Sequence, residues 1–164
     1  MFYRGFLPVF WKDEYKNFEY VRQPITGEEA DTWRKQGYTH DTTTGKMYDS
    51  KNPMPEWTEQ VARLLNFKDP GFVFYRMDTL DIMPVHVDHF NTYCKVFKKQ
   101  RVDVRRAIVF LEEWKPGHYF EVEGVGVVNY KAGEYVLWDA DAPHAASNIG
   151  VDPRYTLQIT GTYY

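Results

Sequence analysis

The chain has 164 residues, of which 43% are hydrophobic and 26% charged, which is typical of one globular domain with its own apolar core. The net charge of −3 and the absence of a basic stripe argue against nucleic-acid binding. A single cysteine, Cys94, excludes an intramolecular disulfide and favours a reducing compartment. No apolar run approaches the roughly 18–20 residues of a membrane span, and the N-terminus lacks the apolar stretch of a signal peptide. We therefore expect a cytoplasmic protein that is not bound to membranes.

Residues 1–70 are predicted to form a helical and loop segment within the single domain 1–164. Residues 6–10 are predicted to form an early strand. The sequence Thr26-Gly27-Glu28-Glu29 has the form of a capping box, which predicts a helix over residues 28–36 that ends at Gly37.

The rest of this segment reads as a loop followed by a second helix. Residues 38–53 are polar and rich in turn formers, which predicts a loop. A helix is expected to begin at Pro55, because a proline at the first helical position loses no hydrogen bond. Its apolar residues recur with helical spacing on one face: Trp57, Val61, Leu64 and Leu65.

From residue 71 onward the sequence favours short strands separated by Gly, Pro and Asp. Many short strands at close spacing are typical of a sandwich or jelly roll, so the fold class is predicted to be mainly β. The predicted strands are residues 72–77, 84–90, 105–114, 119–123, 126–130, 134–138 and 154–163.

A pair of potential metal ligands lies in the predicted strand 84–90. Residues i and i+2 of a strand face the same side, so His86 and Asp88 are predicted to project together, with Val85 and Val87 on the other side. An imidazole nitrogen and a carboxylate oxygen on one face can hold a metal ion. A His-x-Asp pair alone is common by chance and needs a third ligand to be informative.

The third ligand is found far along the chain. Residues 133–144 predict a strand that runs into a turn ending at His144. Two histidines and one carboxylate form the facial triad of non-haem iron oxygenases, which leaves other coordination positions open. His86, Asp88 and His144 are therefore the candidate catalytic residues and metal ligands.

The last predicted strand alternates strictly between polar and apolar residues. Arg154 and Thr156 begin the polar face, and Tyr155 and Leu157 begin the apolar face. Arg154 and Thr156 are predicted to point into the mouth of the barrel, where a guanidinium and a hydroxyl can bind a dicarboxylate. The alternative is an edge strand with a solvated polar face.

The ordered set His86-x-Asp88, His144 and Arg154-x-Thr156 resembles the 2-oxoglutarate and iron(II)-dependent dioxygenase superfamily. The resemblance covers about residues 72–164. It implies a double-stranded β-helix, or jelly roll, with a few N-terminal helices packed on it. The first His and the Asp then lie near the second core strand, the distal His near the seventh, and the Arg and Thr on the eighth.

Two branches of that superfamily are similar to this chain. Tyr75 stands eleven residues before His86, where prolyl 4-hydroxylase-like members carry a tyrosine that contacts the co-substrate carboxylate. Residues 143–148 and 154–157 are similar to aspartyl/asparaginyl hydroxylase-like members, which often lack the metal-binding Asp that this chain has at position 88. The residues leave the choice between these branches open.

The resemblance implies iron(II) as the metal, and 2-oxoglutarate and dioxygen as co-substrates. Arg154, Thr156 and Tyr75 are the implied contacts of 2-oxoglutarate. The implied reaction is hydroxylation of a C–H bond of a peptide side chain or small metabolite, with release of succinate and carbon dioxide. Residues 1–70 are expected to carry the specificity for that primary substrate.

Two functions of other classes compete with the oxygenase. A jelly roll of this kind can be a non-catalytic ligand-binding module, although the complete ligand set argues against a decayed site. A cupin-like metalloenzyme without 2-oxoglutarate is the second alternative. Such an enzyme typically has further His and Glu ligands close to the first His, and it has no need of Arg154-x-Thr156.

Structural roles are favoured for the remaining conspicuous residues. His89 is predicted to face away from His86, and His118 is predicted to lie in a loop. Trp138 is interpreted as a core residue, whereas Arg106 is a weaker candidate for contact with the co-substrate or substrate. The basic stretch of residues 95–106 is interpreted as a solvated loop.

Overall fold

The computed structural model describes residues 2–26 and 28–164, and within them the chain forms three α-helices and eleven strands. The helices are α1 (Glu28–Lys35), α2 (Trp57–Leu64) and α3 (Asn91–Phe97). The strands are β1 (Phe2–Phe6), β2 (Val21–Arg22), β3 (Lys46–Asp49), β4 (Phe67–Met77), β5 (Ile82–His86), β6 (Arg105–Phe110), β7 (His118–Val122), β8 (Val125–Val127), β9 (Glu134–Asp139), β10 (His144–Asn148) and β11 (Arg154–Tyr163). Across the described ranges, every helix is too short or too polar to span a membrane.

The strands build two antiparallel sheets that pack face to face. The larger sheet has the order β1-β9-β6-β11-β4-β3-β2, and the smaller has the order β5-β10-β7-β8. Between them lies an apolar cluster to which both sheets contribute, with Phe110, Val136 and Trp138 on one side and Phe120 and Val122 on the other. The mainly β jelly roll predicted from the sequence is confirmed.

Strand β11 lies at the centre of the larger sheet, between β6 and β4. Its apolar residues Tyr155, Leu157 and Ile159 pack outward into a core that includes Trp57 and Val61 of α2. Its polar residues project to the other side, into the space between the sheets. The alternative of an edge strand with a solvated polar face is therefore wrong, because both faces of β11 are buried.

The N-terminal third of the chain contributes more strands than the sequence predicts. The first strand covers Phe2–Phe6 rather than residues 6–10, because it pairs with β9 over these five residues. The polar stretch 38–53, predicted to be a loop, contains β3, which pairs with β4. These strands depend on hydrogen bonds to distant partners, which the local pattern does not reveal.

The predicted helices of this region are present with small shifts. Helix α1 covers Glu28–Lys35, and Gly37 follows it with the positive φ of 95° that a helix terminus favours. The predicted capping box includes Gly27, which lies outside the described residues. Helix α2 begins at Trp57, two residues after the predicted start at Pro55.

The segment predicted as a strand over residues 84–90 is divided in the structure. Strand β5 ends at His86, Phe90 has a positive φ of 57°, and α3 follows at Asn91. His118, predicted to lie in a loop, is the first residue of β7, and His144 is the first residue of β10. The change of direction after His86 carries Asp88 off the strand and onto a loop.

A test of the outward core compares two leucines. We expect Leu157→Ala to lower the free energy of unfolding by about 2–5 kcal/mol, because Leu157 of β11 is fully buried in the core that the N-terminal segment covers. The control Leu64→Ala removes a leucine that is 57% exposed, so its effect should stay within about 0.5 kcal/mol. Urea unfolding measures both, and equal losses would contradict this assignment of the core.

Candidate functional site

The structure brings His86, Asp88 and His144 together at one end of the space between the sheets. His86 and His144 are directly paired residues of β5 and β10, and their ring centroids are 4.3 Å apart. Asp88 Oδ1 lies 3.5 Å from His86 Nε2, and Asp88 Oδ2 lies 3.3 Å from His144 Nε2. One potential ligand atom from each residue lies within 4.8 Å of the others. Asp88 reaches this position from the loop after β5, not from the strand on which the sequence predicted it.

Hydrogen bonds to the main chain fix how the two imidazoles are oriented. His86 Nδ1 lies 2.8 Å from the carbonyl oxygen of Pro84, and His144 Nδ1 lies 3.1 Å from that of Ala142. A carbonyl oxygen can only accept, so Nδ1 of each ring carries the hydrogen. When such a ring is neutral, its unprotonated Nε2 faces Asp88, and this is the form that binds a metal.

Aromatic residues pack against both imidazole rings. The ring of Trp33, on α1, meets His86 edge-on at 5.7 Å between centroids. Trp138, on β9, lies 4.8 Å from His144 and is itself almost fully buried. Trp138 is thus a core residue, as predicted, and it also restricts the rotation of His144.

The charge of Asp88 is balanced by a neighbouring arginine. Burial by itself raises the pKa of Asp88, but the positive charge of Arg106 is the largest opposing cause, and the pKa is lowered. The Arg106 Nη1 atom lies 2.7 Å from Asp88 Oδ1. Asp88 Oδ2 is buried and, among the described residues, has no hydrogen-bond donor. The carboxylate is therefore ionised, with one oxygen held and the other available.

The lowered pKa of His144 also favours its role as a metal ligand. Burial is the main cause that lowers its pKa, to about 4, and nearby His86 adds to this effect while Asp88 opposes it. The ring stays neutral near pH 7, and a neutral imidazole is required for metal binding.

These features fit a divalent transition metal. The donor set is two imidazole nitrogens and one carboxylate oxygen, the combination typical of non-haem iron(II) sites. Asp88 Oδ2, which is buried and has no hydrogen-bond donor within the described ranges, is the atom that a metal would satisfy, because a buried polar atom without a partner is unfavourable. Two imidazoles and a carboxylate at the end of an apolar core are costly to desolvate, so packing alone does not account for them.

The same cavity extends from the triad to Arg154. Its lining includes Arg154, Thr156 and Gln158 of β11. Arg154 is 4% exposed, and its Nη1 lies 3.3 Å from the sulfur of Met77, a weak acceptor. In the described part of the chain, Arg154 Nε and Nη2 have no hydrogen-bond partner. A buried guanidinium with unused donors is suited to an anionic ligand, and a carboxylate can accept two of its hydrogens.

Tyr75 lies beside the predicted anion contacts. It is paired directly with Thr156 across β4 and β11, so both side chains project to the same side of the sheet and line the cavity. Burial raises the pKa of Tyr75, which keeps its hydroxyl protonated. Arg154, Thr156 and Tyr75 are thus brought together as the sequence predicted, in the cavity that contains the triad.

Other histidines lie away from the triad. His89 is partly exposed, and its Nε2 lies 2.7 Å from Glu29 Oε1, in agreement with its predicted outward direction. His118 is buried, and its Nε2 lies 2.8 Å from the carbonyl oxygen of Asp152. His118 Nδ1 lies 3.4 Å from the hydroxyl of Tyr130, a contact that no sequence pattern indicated.

Arg106 is the main residue whose importance the sequence understated. Its guanidinium contacts Asp88 Oδ1, donates to Thr160 Oγ1 over 3.1 Å and lies 4.6 Å from the ring centre of Phe90. Arg106 shares a face of β6 with Ile108, which is the only local signal that its side chain points inward. The pairing of β6 with β11 then places it above the cavity.

Comparisons with known proteins support the fold. No protein-family profile and no curated protein matches this chain. Among solved structures, a prolyl-4-hydroxylase from Pseudomonas putida is similar to this chain, with 18% sequence identity and a TM-score of 0.53. The match covers 73% of this chain and 72% of the hydroxylase chain.

Two further solved structures are more distant. The cupin domain of Cnp3 from Schizosaccharomyces pombe is 10% identical over 71% of this chain and 64% of its own, with a TM-score of 0.45. A conserved protein from Klebsiella pneumoniae with a double-stranded β-helix domain is 14% identical over 60% of this chain and 72% of its own, with a TM-score of 0.41. The likeness to the prolyl-4-hydroxylase agrees with the jelly-roll fold of the two sheets, and His86, Asp88 and His144 form a three-residue group that could hold a metal.

The position of His118 predicts a pH dependence of stability. Burial is the largest cause that lowers its pKa, and the positive charges of Arg154 and Lys115 act in the same direction, against the Asp152 carbonyl and carboxylate. The unfolded chain gains a proton on this ring as the pH falls through about 6.5, whereas the folded chain does not, so folding becomes less favourable. We expect His118→Gln to lose less unfolding free energy than the wild type between about pH 7 and about pH 5.

Denaturant titrations at each pH provide the measurement for His118. The control is His40→Gln, which replaces an exposed histidine and should retain the wild-type pH dependence. A pH dependence in His118→Gln that equals that of the wild type would show that His118 titrates normally in the folded protein.

Proposed function

We propose that the chain is an iron(II)- and 2-oxoglutarate-dependent oxygenase that hydroxylates a C–H bond of a peptide side chain or small metabolite. One observation carries the proposal: a cluster of two imidazoles and one carboxylate lines the same cavity as a buried guanidinium with unused donors. The two imidazoles and the carboxylate are suited to a cation, whereas the guanidinium is suited to an anion. A co-substrate dicarboxylate that also binds the metal meets both requirements.

The three ligands have separate tasks in the proposed enzyme. His86 and His144 would hold the metal through Nε2, because their Nδ1 atoms lie against main-chain carbonyls. Asp88 would hold it through Oδ2, because Oδ1 is paired with Arg106. Two imidazoles and one carboxylate are the donor set typical of non-haem iron(II) oxygenases.

Arg154, Thr156 and Tyr75 hold the far carboxylate of the co-substrate. The Arg154 guanidinium supplies the charge and two parallel N–H donors, and the hydroxyls of Thr156 and Tyr75 supply further donors. Iron(II) with 2-oxoglutarate supplies the activation of dioxygen, coupled to decarboxylation of the co-substrate to succinate and carbon dioxide. Phe120 and Trp138 are buried and give the same cavity an apolar lining.

The two competing functions do not explain the buried guanidinium of Arg154 together with the proposed metal ligands. A cupin-like metalloenzyme without a dicarboxylate co-substrate has no use for a buried Arg154 whose Nε and Nη2 have no hydrogen-bond acceptor among the described residues. A non-catalytic ligand-binding module would bind its ligand without turnover. Binding of 2-oxoglutarate therefore distinguishes the oxygenase from the cupin-like metalloenzyme, and release of succinate distinguishes it from the non-catalytic module.

Metal binding by His86, Asp88 and His144 can be tested by visible spectroscopy. Anaerobic addition of iron(II) and 2-oxoglutarate should give the weak visible absorption band of a chelated iron complex. His86→Ala and Asp88→Ala should abolish that band, because each removes a metal ligand. His89→Ala is the matched control, since this neighbouring histidine is paired with Glu29 and should leave the band unchanged. A normal band in His86→Ala would remove the metal assignment.

Binding of the co-substrate by Arg154 can be tested by substitution. Arg154→Ala should weaken 2-oxoglutarate binding at least about tenfold, because it removes a charge-assisted hydrogen-bonded pair from a buried site, while iron binding is retained. Arg76→Ala is the control, because Arg76 lies on β4 but stacks on Tyr155 at the outward face of the sheet. Titration of 2-oxoglutarate into the iron-loaded protein gives the affinities. Equal affinity in Arg154→Ala and wild type would assign the co-substrate site elsewhere and favour a metalloenzyme of another kind.

A further inference from the structure

One arginine connects the two parts of the chain that carry the proposed metal ligands. Arg101 lies between α3 and β6, in a short 3-10 helix (Arg101–Asp103). Its Nε and Nη2 donate to the carbonyl oxygen of Asp88 over 3.1 and 2.9 Å. Its Nη2 also donates to the carbonyl oxygen of Ala140 over 2.8 Å, and its Nη1 to Asp141 Oδ1 over 2.6 Å.

The contact is made where the sheets no longer fix the geometry. His86 and His144 are the last residue pair between β5 and β10, and Asp88 lies beyond it on a loop. The turn that contains Ala140 and Asp141 joins β9 of the larger sheet to β10 of the smaller one. Strand pairing thus sets the distance between the two histidines but not the position of Asp88 relative to His144.

The bonds from Arg101 fix that position. A carbonyl that accepts two N–H groups from one planar guanidinium has its peptide plane held, and the orientation of that plane sets the direction in which the Asp88 side chain leaves the main chain. The same guanidinium also donates to the carbonyl oxygen of Ala140, four residues before His144. Beneath it, Phe90, Val104 and Ala140 form a small buried cluster that packs the same segments together.

We propose that Arg101 is a positioning residue of the metal centre, which holds Asp88 in register with His144 so that the triad can bind a divalent cation. The inference rests on the proposed function, because it assumes that the triad binds a metal. Lysine cannot replace Arg101, because a single ammonium lacks the planar fork that reaches two carbonyls and a carboxylate at once.

The test measures cobalt(II) binding to the whole chain, with visible absorption as a report of coordination geometry. Arg101→Met should weaken cobalt(II) affinity about tenfold or more, the usual effect of removing a partner that orients a ligand, and should change the absorption spectrum. Arg101→Lys should weaken affinity as well, although it keeps the charge.

Two controls separate positioning from stability. Arg105→Met removes bonds to two carbonyls, those of Val102 and Val104, and an ion pair with Asp139, but it touches neither Asp88 nor the 140–141 turn. Asp141→Asn removes only the ion pair of Arg101 with a carboxylate that is 84% exposed. Both controls should bind cobalt(II) with wild-type affinity and spectrum, whatever their effect on thermal unfolding.

The cobalt(II) measurements test the positioning role of Arg101 and the metal centre separately. Wild-type cobalt(II) affinity and spectrum in Arg101→Met overturn the positioning role. If Arg101→Met does not fold, Arg101→Lys decides, and wild-type binding in that variant overturns the role equally. Failure of the wild-type chain itself to bind cobalt(II) rejects the proposed metal centre, which is a different outcome from normal binding in all variants.

Discussion

The central strand β11 is buried on both faces, and the candidate site depends on this constraint. A jelly roll that exposes the outside of a sheet to water must direct its apolar residues inward to form a core. Here the outward residues Tyr155, Leu157 and Ile159 are covered by the N-terminal segment and α2. Burial of that face supplies the apolar stabilisation, so the inward face of β11 can carry Arg154 and Thr156. The N-terminal segment thus makes a polar interior possible, whether or not it also contacts a substrate.

That polar interior carries groups of opposite character at its two ends. Buried polar groups are normally paired, and those that are not point to a ligand. At one end, His86, Asp88 and His144 each bring one potential ligand atom within 4.8 Å of the others. At the other end, two nitrogens of Arg154 find no acceptor among the described residues. A metal alone satisfies the first end and a carboxylate alone the second. A dicarboxylate bound to a metal satisfies both, and for this reason the two halves of the proposed site support one another.

The parts of this arrangement that follow from local spacing could be predicted from the sequence. The strict alternation from Arg154 onward identified both faces of β11, and the ordered ligand set identified the residues that converge. Strand β3 and helix α3 could not be predicted, because each depends on contacts with residues distant in the chain. The basic stretch 95–106 was interpreted as a solvated loop, since charge runs usually are. Arg101 and Arg106 instead turn toward Asp88, and only the folded arrangement of β5, β6 and β9 places a carbonyl and a carboxylate within their reach.

The two arginines act on opposite ends of the same aspartate, and this division bears on coordination. Arg101 holds the main-chain carbonyl of Asp88, and Arg106 holds its Oδ1 atom. In the proposed enzyme, a carboxylate with one oxygen already paired binds the metal through the other oxygen alone. A carboxylate free at both oxygens can bind through two and occupy an additional position. The pairing of Asp88 with Arg106 would therefore limit this residue to a single oxygen donor toward a bound metal.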